Sequence, residues 1–250
     1  TILCQQTSDH RTVLHCAAAG GLVSIIREAM DEHLDVLVFE DASPWRSRKS
    51  HILWPGTPHA FVHPLHVAAG SKRPGALDVV KYFIDEMKLD PFQKSYQNLT
   101  PLHCALAGGN KHIIYWLIDR YTPEQLHSHS GGVPSVPVAT LIAYAAYLNN
   151  VDAVKAMVAR GASISRYSPV SEELFVNAPR WITPLVAAIV GNRSDSVGVL
   201  PALCALGADV NQLGSGIRKM QDSPKAYPLF VATKLKRPAM IAELLYYGAN

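Results

Sequence analysis

One short motif returns along the chain and restricts its possible folds more than any other feature. Thr12-Val13-Leu14-His15-Cys16-Ala17-Ala18 comes back as His63-Pro64-Leu65-His66-Val67-Ala68-Ala69 and as Thr100-Pro101-Leu102-His103-Cys104-Ala105. Weaker copies follow at Thr140-Leu141-Ile142-Ala143-Tyr144-Ala145-Ala146, Thr183-Pro184-Leu185-Val186-Ala187-Ala188 and Tyr227-Pro228-Leu229-Phe230-Val231-Ala232. Each copy precedes a second apolar stretch at helical spacing, and three of these close on Gly-Ala, at Gly161-Ala162, Gly207-Ala208 and Gly248-Ala249. A chain that repeats itself in this way builds a stack of like units, each burying its apolar face on its neighbour.

Elementary chemistry accounts for the motif. Threonine accepts a hydrogen bond from an unpaired N–H at a helix start. Proline in the first turn gives up a donor that would be orphaned anyway and presets φ. The leucine anchors a core, and the paired alanines let neighbouring helices come close. Gly161 supplies the left-handed residue that ends a second helix. First helices are expected near 13–20, 64–70, 101–107, 140–148, 184–191 and 228–235. Second helices are expected near 22–31, 76–87, 111–120, 151–160, 196–206 and 238–247.

The Thr-Pro-Leu-His-x-Ala-Ala centre and the Gly-Ala close resemble the ankyrin repeat, from about Asp9 to Asn250. The resemblance implies an all-α ankyrin-repeat solenoid of six helix-turn-helix units with long inter-repeat loops, in a single domain over 1–250. The repeats lie near 9–38, 60–91, 98–121, 137–164, 180–211 and 225–250. It also implies a structural role for the motif histidines His15, His66 and His103, bonding to the threonine and to neighbouring backbone. The chain begins at Thr1 and stops in frame with a repeat boundary without a polar capping helix, so further sequence is expected beyond its ends.

The core leucine or isoleucine falls at 14, 65, 102, 142, 185 and 229, giving intervals of 51, 37, 40, 43 and 44. The ankyrin period is about 33 residues, so every interval carries an insertion. Small additions fall in the turns at Lys72-Arg73-Pro74 and Arg193-Ser194-Asp195, and most of the rest lie between repeats, at 39–61, 122–138, 165–181 and 212–226. In ankyrin proteins such connections project as fingers beside a concave face made by the first helices. Trp45, Trp54 and Trp181 lie in the fingers or at their ends, and Arg46 and His59 share the first. Aromatic residues and arginine are enriched where partners are gripped; packing back onto the repeats is the alternative for these rings.

Composition narrows the classes. Net charge is +3, and the four fingers together hold 8 Lys or Arg against 6 Asp or Glu, too balanced for a nucleic-acid stripe. No apolar run reaches the roughly 18 residues a membrane span needs. Cys4, Cys16, Cys104 and Cys204 form no C-x-x-C pair and read as reduced, mostly buried thiols, which points to a cytoplasmic or nuclear setting. No nucleophile elbow, phosphate loop or zinc ribbon is present, so no cofactor and no metal are expected.

The leading expectation is a scaffold or adaptor module that recognises a protein partner on its concave face and fingers. The candidate contacts are Trp45, Trp54, Arg46, His59, Ser71, Tyr147, Leu148, Trp181 and Lys234. Small residues at Gly70, Ser71, Ala107 and Gly108 are expected to leave space for a guest, with Tyr147 and Leu148 as an apolar floor. The alternative is a small-molecule or unusual catalytic protein whose pocket the fingers enclose. Its candidates are His63, His66, Tyr147 and Arg46, with His63 standing where the motif has threonine; a simple replacement at the cap is the competing reading of His63.

Overall fold

The computed structural model describes residues 13–32, 63–95, 98–128, 140–165, 183–191, 197–212 and 227–250. They form helices and turns with no strand. The chain divides into two compact units, Thr1–Leu117 and Ile118–Asn250.

In the first unit the pairs are α1 (Val13–Gly20) with α2 (Val23–Glu32), α3 (Pro64–Ala69) with α4 (Ala76–Lys81), and α5 (Pro101–Gly108) with α6 (Lys111–Ile118), whose last residue crosses the unit boundary. The layer of first helices has α3 between α1 and α5. In the second unit α7 (Pro123–Leu126) precedes three pairs: α8 (Leu141–Tyr147) with α9 (Val151–Ala159), α10 (Pro184–Gly191) with α11 (Leu200–Ala205), and α12 (Pro228–Lys234) with α13 (Pro238–Tyr246). There α10 packs between α8 and α12, and α11 between α9 and α13.

The motif leucines anchor both units. Leu14, Leu65, Leu102, Ile142 and Leu185 are at most 2% exposed, and each such burial contributes roughly 1.5–3 kcal/mol. Leu229, in the last pair, is only part-buried. The helix starts follow the expected chemistry. Thr140 Oγ1 accepts from the Ala143 N–H at 3.3 Å, and Thr183 Oγ1 from the Val186 N–H at 3.2 Å. The turns inside pairs place Gly21, Gly109, Asn149 and Lys236 at positive φ, and second helices close on Gly161, Gly207 and Gly248, also at positive φ.

Three elements depart from the expected pattern. The second helix of the fifth repeat starts at Leu200 and not near 196, because Pro201 fits only the first turn of a helix. The second helix of repeat two changes from α to a π-helical turn over Tyr82–Glu86, where the Met87 N–H reaches back to the Tyr82 carbonyl at 3.0 Å. This widening lets three consecutive residues, Tyr82, Phe83 and Ile84, all bury. The third is α7, inside the connection 122–138. Thr122 and Gln125 form a capping box, with Thr122 N–H to Gln125 Oε1 at 3.0 Å and Gln125 N–H to Thr122 Oγ1 at 3.2 Å. Leu126 is fully buried, and a Cβ on Gly161 would lie 3.4 Å from Pro123, so α7 packs against the end of α9.

Two of the glycines near the ends of the first helices are packed against a neighbouring repeat, while Ala107 stays exposed. A Cβ built on Gly108 would lie 2.2 Å from the Gly70 carbonyl oxygen, and one on Gly191 would lie 2.0 Å from that of Tyr147. The neighbouring backbone fills the space that glycine vacates. Cys16, Cys104 and Cys204 are free thiols, but less buried than expected: Cys16 is exposed and the other two are part-buried, while Cys4 lies outside the described residues. Burial pushes the Cys104 thiol up to about 12; burial and then the Glu243 carboxylate push Cys204 up to about 11. Neither is a ready nucleophile.

Candidate functional site

In the first unit the two candidate histidines are part of the scaffold. His63 precedes α3 in extended conformation, and its Nδ1 accepts from the Leu65 N–H at 3.1 Å, the cap bond a threonine would make. Its ring meets Phe83 edge-on at 6.2 Å. His66 is 1% exposed, and its Nε2 lies 3.0 Å from the carbonyl oxygens of both Gln93 and Leu99, so Nε2–H donates to the connection that leads into the next repeat. Burial pushes His66 down to about 4, against the two carbonyl bonds that favour its charged form. His63 is pushed down to about 3, by burial first and then by His66 and His15. Both imidazoles are therefore neutral near pH 7.

His103 shows the reciprocal form of the cap. Its Nδ1 accepts from the Thr100 N–H at 3.1 Å and lies 2.9 Å from Thr100 Oγ1. The structural role implied for the motif histidine thus takes two shapes, a cap at His103 and a tie to the next connection at His66.

Ser71 is 8% exposed, and its hydroxyl donates to the Ala19 carbonyl at 2.7 Å while accepting from the Arg73 N–H at 3.2 Å. Asn110 Nδ2 donates to the Ser71 carbonyl at 3.2 Å. One serine therefore joins the turns of the first three repeats.

In the second unit the first-helix layer keeps apolar and basic side chains at its surface. Tyr147 is part-exposed and stacks on Tyr144 at 6.5 Å with the rings 12° from parallel, and Leu148 follows, part-exposed. Val190 is 39% and Leu235 43% exposed. Lys234 holds its ammonium 5.7 Å from the centre of the Phe230 ring. Tyr144 and Phe230 were missed as supports, although the spacings Tyr144–Tyr147 and Phe230–Lys234, three and four residues along a helix, signal them.

Trp45, Arg46, Trp54, His59 and Trp181 lie outside the described residues. Among the described residues no group of three or more His, Cys, Asp or Glu could hold a metal ion, and no helix is long and apolar enough to cross a membrane.

Residues 65–118 match the family model for ankyrin repeats (many copies). The ankyrin repeat domain of human ASB11, in its crystal structure, superposes with a TM-score of 0.59 over 96% of this chain and 85% of that one, at 19% identity. Residues 65–118 are ankyrin repeats, and the chain shares the fold of an ankyrin repeat domain. At that identity the ASB11 likeness speaks for the fold alone. No curated protein matches the sequence. Ankyrin repeats generally mediate protein–protein interaction, through extended surfaces that stacked units present.

Proposed function

We propose that this ankyrin-repeat chain is a protein-binding module that engages its partner with the exposed ends of its first helices and with the lengthened connections between repeats. The observation that carries this reading is the surface of the second unit. Val190 and Leu235 remain exposed, and Tyr147 part-exposed, on a layer in which the other apolar side chains of α8 and α10 are buried. Lys234, poised over Phe230, adds a positive charge beside them. Rigid aromatic and aliphatic side chains on a fixed helical layer lose little entropy on binding. The connection residues Trp45, Arg46, Trp54, His59 and Trp181 add the residue types that anchor protein interfaces.

The test starts with partners cross-linked to the whole chain in cells. Each is then purified and titrated against wild type, the double variant Y147A/L235E and a deletion of residues 41–58. Binding should weaken at least about tenfold in one or both, the effect of losing a hot spot, while helix content by circular dichroism stays near wild type. Partners that bind both variants as tightly as the parent would refute the reading.

A further inference from the structure

We propose that the turn edge of the second and third repeats, carrying Lys72, Arg73 and Lys111, docks an acidic segment of a protein partner. This rests on the protein-binding reading and gives the partner a chemistry.

The acids of the first unit are segregated: they share the second-helix side with Arg27, Lys81 and Lys88, and none lies in the described turns. Helices α1, α3 and α5 contain no Asp, Glu, Lys or Arg. Among the described residues the acids all belong to the other side of each pair: Glu28, Asp31 and Glu32 in α2, Asp78 in α4, Asp85 and Glu86 in the π-helical turn, and Asp90 just beyond. The turns that join first to second helices, 70–75 and 109–110, together with Lys111 at the start of α6, hold the three cations and no acid. All three cations are exposed.

The edge is also built to stay in place. Ser71 ties it to Ala19 of the first repeat, and Asn110 ties the third repeat to Ser71. Gly108 sits against Gly70, and Gly75 against Gly21, so closely that a Cβ on Gly108 or Gly75 would lie 2.2 Å from a carbonyl oxygen. Lys72 extends over the next turn, its Cε 4.0 Å from where a Cβ of Gly109 would be. The three charges thus ride on interlocked backbone, so the ordering that opposes binding is that of their own long side chains. Beside them Leu22, in the Gly21 turn packed on Gly75, is 46% exposed and offers apolar contact.

Three exposed cations on one turn edge with an apolar neighbour suit a segment of Asp or Glu interspersed with an aliphatic residue. They suit a nucleic acid less well, since binding there draws its strength from neutralising many phosphates along the strand. Attraction across an exposed edge is screened by salt, with a Debye length of about 8 Å at physiological ionic strength, so binding should weaken as salt rises.

The test uses fluorescence anisotropy on the whole chain with three labelled probes: a peptide of repeated Glu-Glu-Leu, its Lys-Lys-Leu counterpart and a thymidine oligonucleotide. The variants are K72E/R73E and, with the same change in net charge on other surfaces, K94E/K155E; thermal melts confirm that both fold. The acidic peptide alone should bind saturably, and K72E/R73E should raise its Kd about tenfold or more while K94E/K155E leaves it within about twofold. Absence of saturable binding, equal loss in both variants, or tighter binding of the oligonucleotide would overturn the proposal. So would a natural partner that binds K72E/R73E as tightly as wild type, an outcome that leaves the protein-binding reading intact.

Discussion

The two units meet one packing requirement with different parts. In the first, histidine caps or ties the first helices: His63 caps α3, His66 holds the connection through Gln93 and Leu99, and His103 closes a box with Thr100. In the second, the same motif position is Ala143, Val186 or Phe230. There Thr140 and Thr183 cap their helices by hydroxyl alone. Both units nevertheless bring successive first helices into backbone contact, at Gly70 and Gly108 in one and at Tyr147 and Gly191 in the other. The close approach is therefore the shared requirement, and bonds from histidines at the first helices are an addition that, among the described residues, the first unit makes and the second lacks.

The largest test of that view removes the anchors. Leu102→Ala in the first unit and Leu185→Ala in the second should each lose about 2–5 kcal/mol in urea denaturation, the usual loss for a buried large-to-small change. Leu229→Ala, part-buried in the last pair, should lose less than half as much. Similar losses at all three positions would mean that burial of the motif leucine does not set its contribution.

Next come the contacts themselves. Gly108→Ala and Gly191→Ala force a Cβ against a neighbour's carbonyl oxygen and should each destabilise by about 2 kcal/mol. Gly207, at φ 93° with nothing within 4 Å, meets only backbone strain, so Gly207→Ala should cost about 1 kcal/mol. A harmless Gly191→Ala would break the claim that both units need the approach.

The histidine contrast is read by pH. An unfolded imidazole titrates near 6.5 and buried His66 near 4. Between those values the unfolded chain holds the extra proton, so acid favours unfolding. Stability from this site is intact above about pH 6.5, declines by up to about 1.4 kcal/mol per pH unit as pH falls, and levels off near pH 4. Urea midpoints at pH 7.5, 6 and 5 should show the decline, and H66L should reduce its slope, leaving the share of His63, which burial holds down at about 3, while lowering stability at neutral pH, because two carbonyls lose their donor. An unchanged slope in H66L would remove His66 as the cause.

The smallest effect concerns the caps. Thr140→Ala should cost about 1 kcal/mol. Thr100→Ala should cost no less, because His103 loses its hydroxyl partner as well. The reverse order would weaken the reading of His103 as a capping partner.

The repeat register, the helix pairs and their caps were legible in the chain because they depend on neighbours three or four residues apart. Thr140 reaches Ala143, His103 reaches Thr100, and Gly161, Gly207 and Gly248 end helices by their own φ. Even α7, within the connection expected at 122–138, is written in Thr122-Pro123-Glu124-Gln125. The π-helical turn at Tyr82–Glu86 and the bonds from His66 to carbonyls 27 and 33 residues away were not, since they depend on what lies across the fold. The same limit governed the candidate surface. Gly70, Ser71 and Gly108 read in sequence as open space because a missing side chain carries no record of what fills its place. Tertiary packing decided that: neighbouring backbone occupies the gap, Ser71 turns inward to Ala19, and Lys72, Arg73 and Lys111 are left on the outer edge.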